Sequence, residues 1–356
     1  MKLPDLLGLT AQLVDIASES FHEGPITDWL EAQLRAVPGL TVDRVGDNLV
    51  ARTNLGRKYR VLLGGHTDTV PANDNATARV DGPTLWGLGS ADMKGGLAVM
   101  LELARSVAEP AVDVTYLFYA REEVGLKDNG LRELFDERPD LCEADVGILG
   151  EPTSAVLEAG CQGTMRLTVS LAGKRAHSAR AWVGRNAIHR AGPLLSALEA
   201  YEPRQPTIDG CTFHEGMQAV FVDGGVAGNV VPDSVKLIIN HRFAPDRTIA
   251  EAEAHVREVL APFLEDGDTI ELTDAAASAK PGMSHPLLAA LAGRNDLEVR
   301  AKLGWTDVAF FAERGLPAVN FGAGDPLLAH TQQERVEEPY LQIVFIALAD
   351  LLINGV

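Results

Sequence analysis

Seven side chains in this 356-residue sequence are of the types that bind divalent metal ions and move protons: His66, Asp68, Asp92, Glu122, Glu123, Glu151 and His330. In Val61-Leu62-Leu63-Gly64-Gly65-His66-Thr67-Asp68 an apolar run passes through two glycines and then presents an imidazole and a carboxylate two residues apart. That spacing puts both on one face of an extended chain. It suits a metal-binding imidazole whose second nitrogen is held by an acid. In Gly87-Leu88-Gly89-Ser90-Ala91-Asp92-Met93-Lys94-Gly95-Gly96, glycines flank one carboxylate at the mouth of a helix. Asp92 is there either a helix cap or a carboxylate held so tightly that it can bridge two cations. Phe118-Tyr119-Ala120-Arg121-Glu122-Glu123 ends an apolar run in two acids, of which one can bind metal while the other moves protons. Ile148-Leu149-Gly150-Glu151 ends another run in an acid, and Gly322-Ala323-Gly324-Asp325 leads to His330, with Glu334 four residues further on.

Taken singly, each segment also reads as a surface turn or a cap. Together they offer two imidazoles and three carboxylates as ligands, with an acid to spare. Oxygen and imidazole donors without thiolate suit zinc, or cobalt and manganese. Five ligands are too many for a single tetrahedral ion that keeps a position open. They suit two ions about 3.5–4 Å apart that share one carboxylate.

Four of the five segments follow strand-like runs, the place where an α/β sheet presents its active site. Hydrophobic spacing predicts two helices in the first 38 residues, then strands at 40–45, 49–52 and 59–64, and a polar loop over 71–83. A helix over 94–107, a strand over 112–120, a helix over 126–135 and a strand over 145–149 complete an α/β layer with a mostly parallel sheet. From Cys161 the order is strand 165–171, helix 186–201, strands 218–223 and 234–243, helix 249–264 and strand 269–273. That is the β-α-β-β-α-β order of a ferredoxin-like unit. Helices at 286–293, 305–314 and 339–353 and a strand at 318–321 then return to the first pattern. The expectation is a discontinuous catalytic domain, 1–160 and 275–356, with a lid and dimerisation domain, 161–274, inserted.

A net charge of −19 argues against nucleic acid and anionic membrane as partners. No run approaches the ~20 apolar residues that span a bilayer, and Met1–Asp5 does not open a secretory signal. The three cysteines, Cys142, Cys161 and Cys211, are scattered and form no Cys-x-x-Cys pair. A reducing cytoplasm is the expected compartment. His22, His189, His214, His255 and His285 lack an acid at ligand spacing and read as structural or exposed.

At this point the sequence resembles the co-catalytic zinc hydrolases that include aminoacylases, acetylornithine deacetylases and succinyl-diaminopimelate desuccinylases, related to carboxypeptidase G. The resemblance covers nearly the whole chain. Within the group it is most similar to the desuccinylases of actinobacterial type, through Leu149-Gly150-Glu151-Pro152-Thr153, Glu158-Ala159-Gly160-Cys161-Gln162-Gly163, Arg175-Ala176-His177-Ser178-Ala179-Arg180, Arg242-Phe243-Ala244-Pro245, Gly304-Trp305-Thr306-Asp307-Val308 and Asn320-Phe321-Gly322-Ala323-Gly324-Asp325-Pro326. Val124 departs from the pattern, since many members have glycine directly after the acid pair.

The resemblance implies that His66 and Glu151 hold one zinc, Glu123 and His330 the other, and that Asp92 bridges them beside a cis peptide to Met93. It implies that Asp68 orients His66, that Glu122 is the general base, and that His177 in the lid polarises the scissile carbonyl, often across a homodimer. Arg242 and Asn229 match substrate contacts; Arg180, with Arg175 and Lys174, adds lid cations, and Thr306, Gly322 and Gly324 are candidate hydrogen-bond donors. The implied activity is hydrolysis of a small N-acylated amino acid, first of all N-succinyl-LL-2,6-diaminopimelate. An acetylornithine deacetylase, another N-acyl amino acid hydrolase or a dipeptidase is the nearest alternative, and a non-catalytic metal-binding protein the alternative of another class.

Overall fold

The computed structural model describes residues 3–356, which divide into two compact units. The first comprises the chain up to Gly160 with Pro281–Arg300 and Phe310–Val356; the second comprises Cys161–Lys280 with Ala301–Ala309. Segment 301–309, expected in the catalytic domain, thus belongs to the second unit. There Lys302 O accepts the Gln162 N–H, and Trp305 Nε1 donates to Ala277 O.

The first unit is built on an eight-stranded sheet whose strands follow one another in the order Thr41–Val45, Asn48–Arg52, Asp113–Tyr119, Arg60–His66, Val146–Leu149, Ala318–Asn320, Leu157–Ala159 and Val299–Ala301. The four central strands, from Asp113–Tyr119 to Ala318–Asn320, run parallel, and antiparallel strands flank them. Central strands are apolar on both faces because helices cover both. Asp113–Tyr119 is buried at every position, and Arg60–His66 at all but its first. Gly65 lets the next layer approach closely, since a Cβ there would lie 2.2 Å from Met93 Cε. Helix Gly95–Ser106, buried almost all round, lies between that strand and helices Leu6–Val14 and Glu338–Asn354.

The second unit carries a four-stranded antiparallel sheet in the order Gly216–Gly224, Ser234–Phe243, Gly163–Ala172, Thr269–Ala276, with helices Ala187–Glu199 and Ile249–Leu260. This is the expected β-α-β-β-α-β order. Burial alternates along Gly163–Ala172 and Ser234–Phe243, so one face is apolar. Met165, Leu167, Val169, Leu237 and Ile239 form a core there with Leu194, Leu198, Val256 and Leu260.

Three helices differ in extent from expectation. The helix expected over 126–135 is Gly130–Glu137, because Asn129 Oδ1 accepts the N–H groups of Leu131 and Arg132. The helix expected over 249–264 ends at Leu260, and a short turn containing Pro262 follows. The helix expected over 305–314 is confined to Val308–Ala312. The loop expected over 71–83 hides a strand, Arg79–Asp81, which pairs with Thr84–Trp86, and that strand pairs with Arg335–Glu337.

Candidate metal centre

The ends of the four parallel strands carry the chemistry. His66 is the last residue of its strand; Glu122 and Glu123 follow Asp113–Tyr119; Glu151 follows Val146–Leu149; and Gly322 and Gly324 follow Ala318–Asn320. Asp92 lies in a turn, Ser90–Lys94, whose backbone leaves helical angles at Asp92 and Met93, and the Asp92–Met93 peptide is cis.

Asp92 stands in the middle of the constellation. Its Oδ1 is 3.0 Å from His66 Nε2 and its Oδ2 is 3.5 Å from His330 Nε2. His330 Nε2 is also 2.8 Å from Glu123 Oε1. Among the described residues, atoms able to hold a metal ion converge within 4.8 Å in three groups: His66, Asp92 and Glu151; Asp92, Glu123 and His330; and His66, Glu122 and Glu123. All belong to the first unit. The first two groups share Asp92, and each supplies one imidazole and two carboxylates.

The electrostatics fit divalent cations. Burial opposes charging His66, yet Asp68, Asp92 and Glu151 hold its pKa well above the ordinary value. The hydrogen bond to Asp92 and the charge of Glu123 push His330 up to about 9. Burial disfavours the Asp92 anion, but the two imidazoles outweigh it and hold its pKa low. Burial raises Glu123, against the pull of both histidines. Each imidazole therefore lies in a concentrated negative field, with oxygen and nitrogen donors of the kind zinc takes.

Around the ligands lies a supporting layer. His66 Nδ1 is 3.0 Å from the main-chain carbonyl of Asp68, nearer than the 3.5 Å to that residue's carboxylate. The Asp68 carboxylate instead accepts the N–H groups of Glu122 and Glu123 and the hydroxyl of Ser20, at 3.0, 3.1 and 2.8 Å. Gly322 and Gly324 act through close approach: a Cβ on Gly322 would lie 2.2 Å from Gly150 O, and one on Gly324 2.3 Å from Ala91 O. The Gly322 N–H is already donated to Thr153 Oγ1.

The remaining expected residues lie in the second unit. His177 is exposed at the end of a two-residue strand, and its Nδ1 accepts the Ala179 N–H. The Asn229 carbonyl accepts the N–H of Ser178, so His177 and Asn229 are held in adjacent segments. Arg180 is exposed in the following turn. Thr306 is buried, its hydroxyl without a partner among the described residues. Arg242 is half-buried on strand Ser234–Phe243 and has no carboxylate partner among the described residues; burial and Arg166 lower its pKa. Ser20, which serves the Asp68 carboxylate, and Thr153, which serves the Gly322 backbone, are not marked in the sequence, because their partners lie far away along the chain.

A profile of Peptidase family M20/M25/M40 matches residues 62–354. Succinyl-diaminopimelate desuccinylase from Corynebacterium glutamicum is 45% identical over 355 residues, 96% of this chain and 95% of that one. A Mycobacterium tuberculosis protein provisionally assigned as succinyl-diaminopimelate desuccinylase DapE is 52% identical over 335 residues, 93% of each chain. The fold matches that of aminopeptidase PepT from Bacillus cereus with a TM-score of 0.81 at 21% identity, covering 98% of this chain and 97% of that one. The chain belongs to peptidase family M20/M25/M40 and is a metal-dependent amide hydrolase.

Proposed function

We propose that this enzyme cleaves N-succinyl-LL-2,6-diaminopimelate to succinate and LL-2,6-diaminopimelate, using two zinc ions per chain, with cobalt or manganese as substitutes. The observation that carries the two-ion reading is Asp92, whose two oxygens face two different histidines, each with its own second carboxylate. His66 and Glu151 would hold one ion, Glu123 and His330 the other. When bound, such ions make water acidic enough to attack at neutral pH and polarise a carbonyl oxygen.

The chain's own groups do the rest. Glu122, its main chain held by Asp68, takes the proton from the attacking water and returns it to the leaving amine. His177 donates to the oxyanion as the carbonyl carbon becomes tetrahedral. Arg242 supports the choice of substrate: a half-buried guanidinium without a carboxylate partner among the described residues is a receptor for an external one. Three carboxylates on this substrate need such local cations in a protein of net charge −19. Arg180, Asn229 and Thr306 are proposed as further contacts.

We propose a homodimer formed through the second unit. Its edge strand Gly216–Gly224 exposes Val220, Phe221 and Val222 at 57%, 49% and 57%. An apolar open edge is ready to pair with another chain. Among the described residues no helix is long and apolar enough to cross a membrane, and three buried free thiols support a reducing, cytoplasmic setting.

The test is amine release by zinc-loaded enzyme from N-succinyl-LL-2,6-diaminopimelate against N-acetylornithine. A kcat/KM at least a hundredfold higher for the first supports the assignment; preference for the second redirects it to acetylornithine deacetylation.

A further inference from the structure

The turn that carries Asp92 has a backbone problem. It leaves the helical path at Asp92 and Met93, so several of its N–H groups have no partner in the helix that follows. Buried N–H groups are paired almost without exception. Here one side chain pairs three of them. Glu334 Oε1 accepts the N–H groups of Ala91 and Asp92, each at 3.0 Å, and Oε2 accepts that of Gly89 at 3.0 Å. Glu334 is 1% exposed.

The position of Glu334 is itself fixed. It closes the loop that bears His330, through its own N–H to Thr331 O. Its carbonyl accepts the Gly87 N–H, and the strand that begins at Arg335 pairs with Thr84–Trp86. The last residue of the same turn, the buried Lys94, donates through its ammonium to Ile16 O at 2.7 Å.

We infer that Glu334 is a positioning residue for the metal pair. It fastens the segment carrying His330 to the turn carrying Asp92, so that the two oxygens of Asp92 address two ions at once. It touches neither ion nor substrate; it sets how tightly the bridged pair is held. The inference rests on the two-ion reading above.

The test is zinc binding by the full chain, stripped with a chelator and titrated against a chromophoric competitor, in parent, Glu334→Gln and Glu334→Asp. Glutamine keeps the shape but turns an amide donor toward an N–H; aspartate keeps the charge but falls short of all three donors. In both variants zinc affinity is expected to fall about tenfold or more. KM at saturating zinc is expected to stay within about twofold of parent, and the activity lost at limiting zinc to return as zinc is raised. If one variant does not fold, the other carries the measurement. A merely structural role would lower Tm and leave zinc affinity intact. Two ions in the parent with unchanged affinity in the variants would overturn the inference alone. Fewer than two ions in the parent would overturn the two-ion reading, and the inference with it.

Discussion

The carboxylate of Asp68 accepts the main-chain N–H of Glu122 at 3.0 Å and, through its other oxygen, that of Glu123 at 3.1 Å. The residue that also provides the carbonyl against His66 Nδ1 therefore positions the proposed base and a proposed ligand of the second ion. Asp68→Asn cannot accept at both places. Its kcat is expected to drop about 10- to 100-fold together with zinc affinity, whereas Ser20→Ala, which removes one neutral donor, is expected to cost less than about tenfold. Steady-state kinetics with parallel zinc titration checks both.

Glu122→Gln keeps the size of the side chain and the N–H that Asp68 holds, and loses the capacity to take a proton. Both zinc ions are expected to remain while kcat falls about 10²- to 10⁴-fold. Metal content measured on the same sample as turnover separates this from loss of the site. Near-normal turnover would remove Glu122 from the base role.

Part of the proposed centre is legible in the sequence: His66 and Glu151 lie at strand ends beside glycine, where a short window shows both the strand and the donor. Ser20 is 48 residues from Asp68, and Glu334 is 245 from Gly89; no local pattern marks either pairing. The hairpin over 79–86 is invisible for a related reason. Its strands are three residues long, too short for alternation to register, and Thr84–Trp86 completes its pairing with Arg335–Glu337 from the far end of the chain. The β-α-β-β-α-β unit is legible because one sheet face is covered by helices, which imposes alternation on the strands.

Arg242→Ala is expected to raise KM for the succinylated substrate by about 10- to 100-fold, the worth of a charge-assisted hydrogen bond. Zinc content and the stability of the second unit are expected to change little, because no acid among the described residues pairs with Arg242. Unchanged KM would refute its role.

His177→Ala is expected to lower kcat by about 10²- to 10³-fold while leaving zinc binding at its parental value. The Asn229→Ala variant serves as a comparison: the bond to the Ser178 N–H uses the main-chain carbonyl and is retained. A smaller loss there would mark the imidazole as the acting group.

The second unit contains a histidine pair, the buried His241 and the half-buried His255, with rings 5.9 Å apart. Burial lowers the pKa of both; Arg247 and each other's charge add to that for His241, Arg247 and Arg204 for His255, while Glu215, and Glu258 for His255, oppose it. With folded pKa values below the unfolded value near 6.5, the unfolded chain binds more protons as pH falls below that value. Stability is then complete above pH ~7 and lost progressively below it. The pair's share of Tm, read by circular dichroism as the difference between parent and a His241→Asn variant, is expected to fall between pH 7 and pH 5. That variant keeps a donor for Gly216 O in place of Nδ1.

The proposed function depends on two cations sharing Asp92. Anomalous difference density at the zinc edge, from crystals of the chain loaded with zinc, is the decisive measurement. Two peaks about 3.5–4 Å apart are expected, one beside His66 and Glu151, the other beside Glu123 and His330, with Asp92 between them. A single peak, or density away from Asp92, would contradict the proposal.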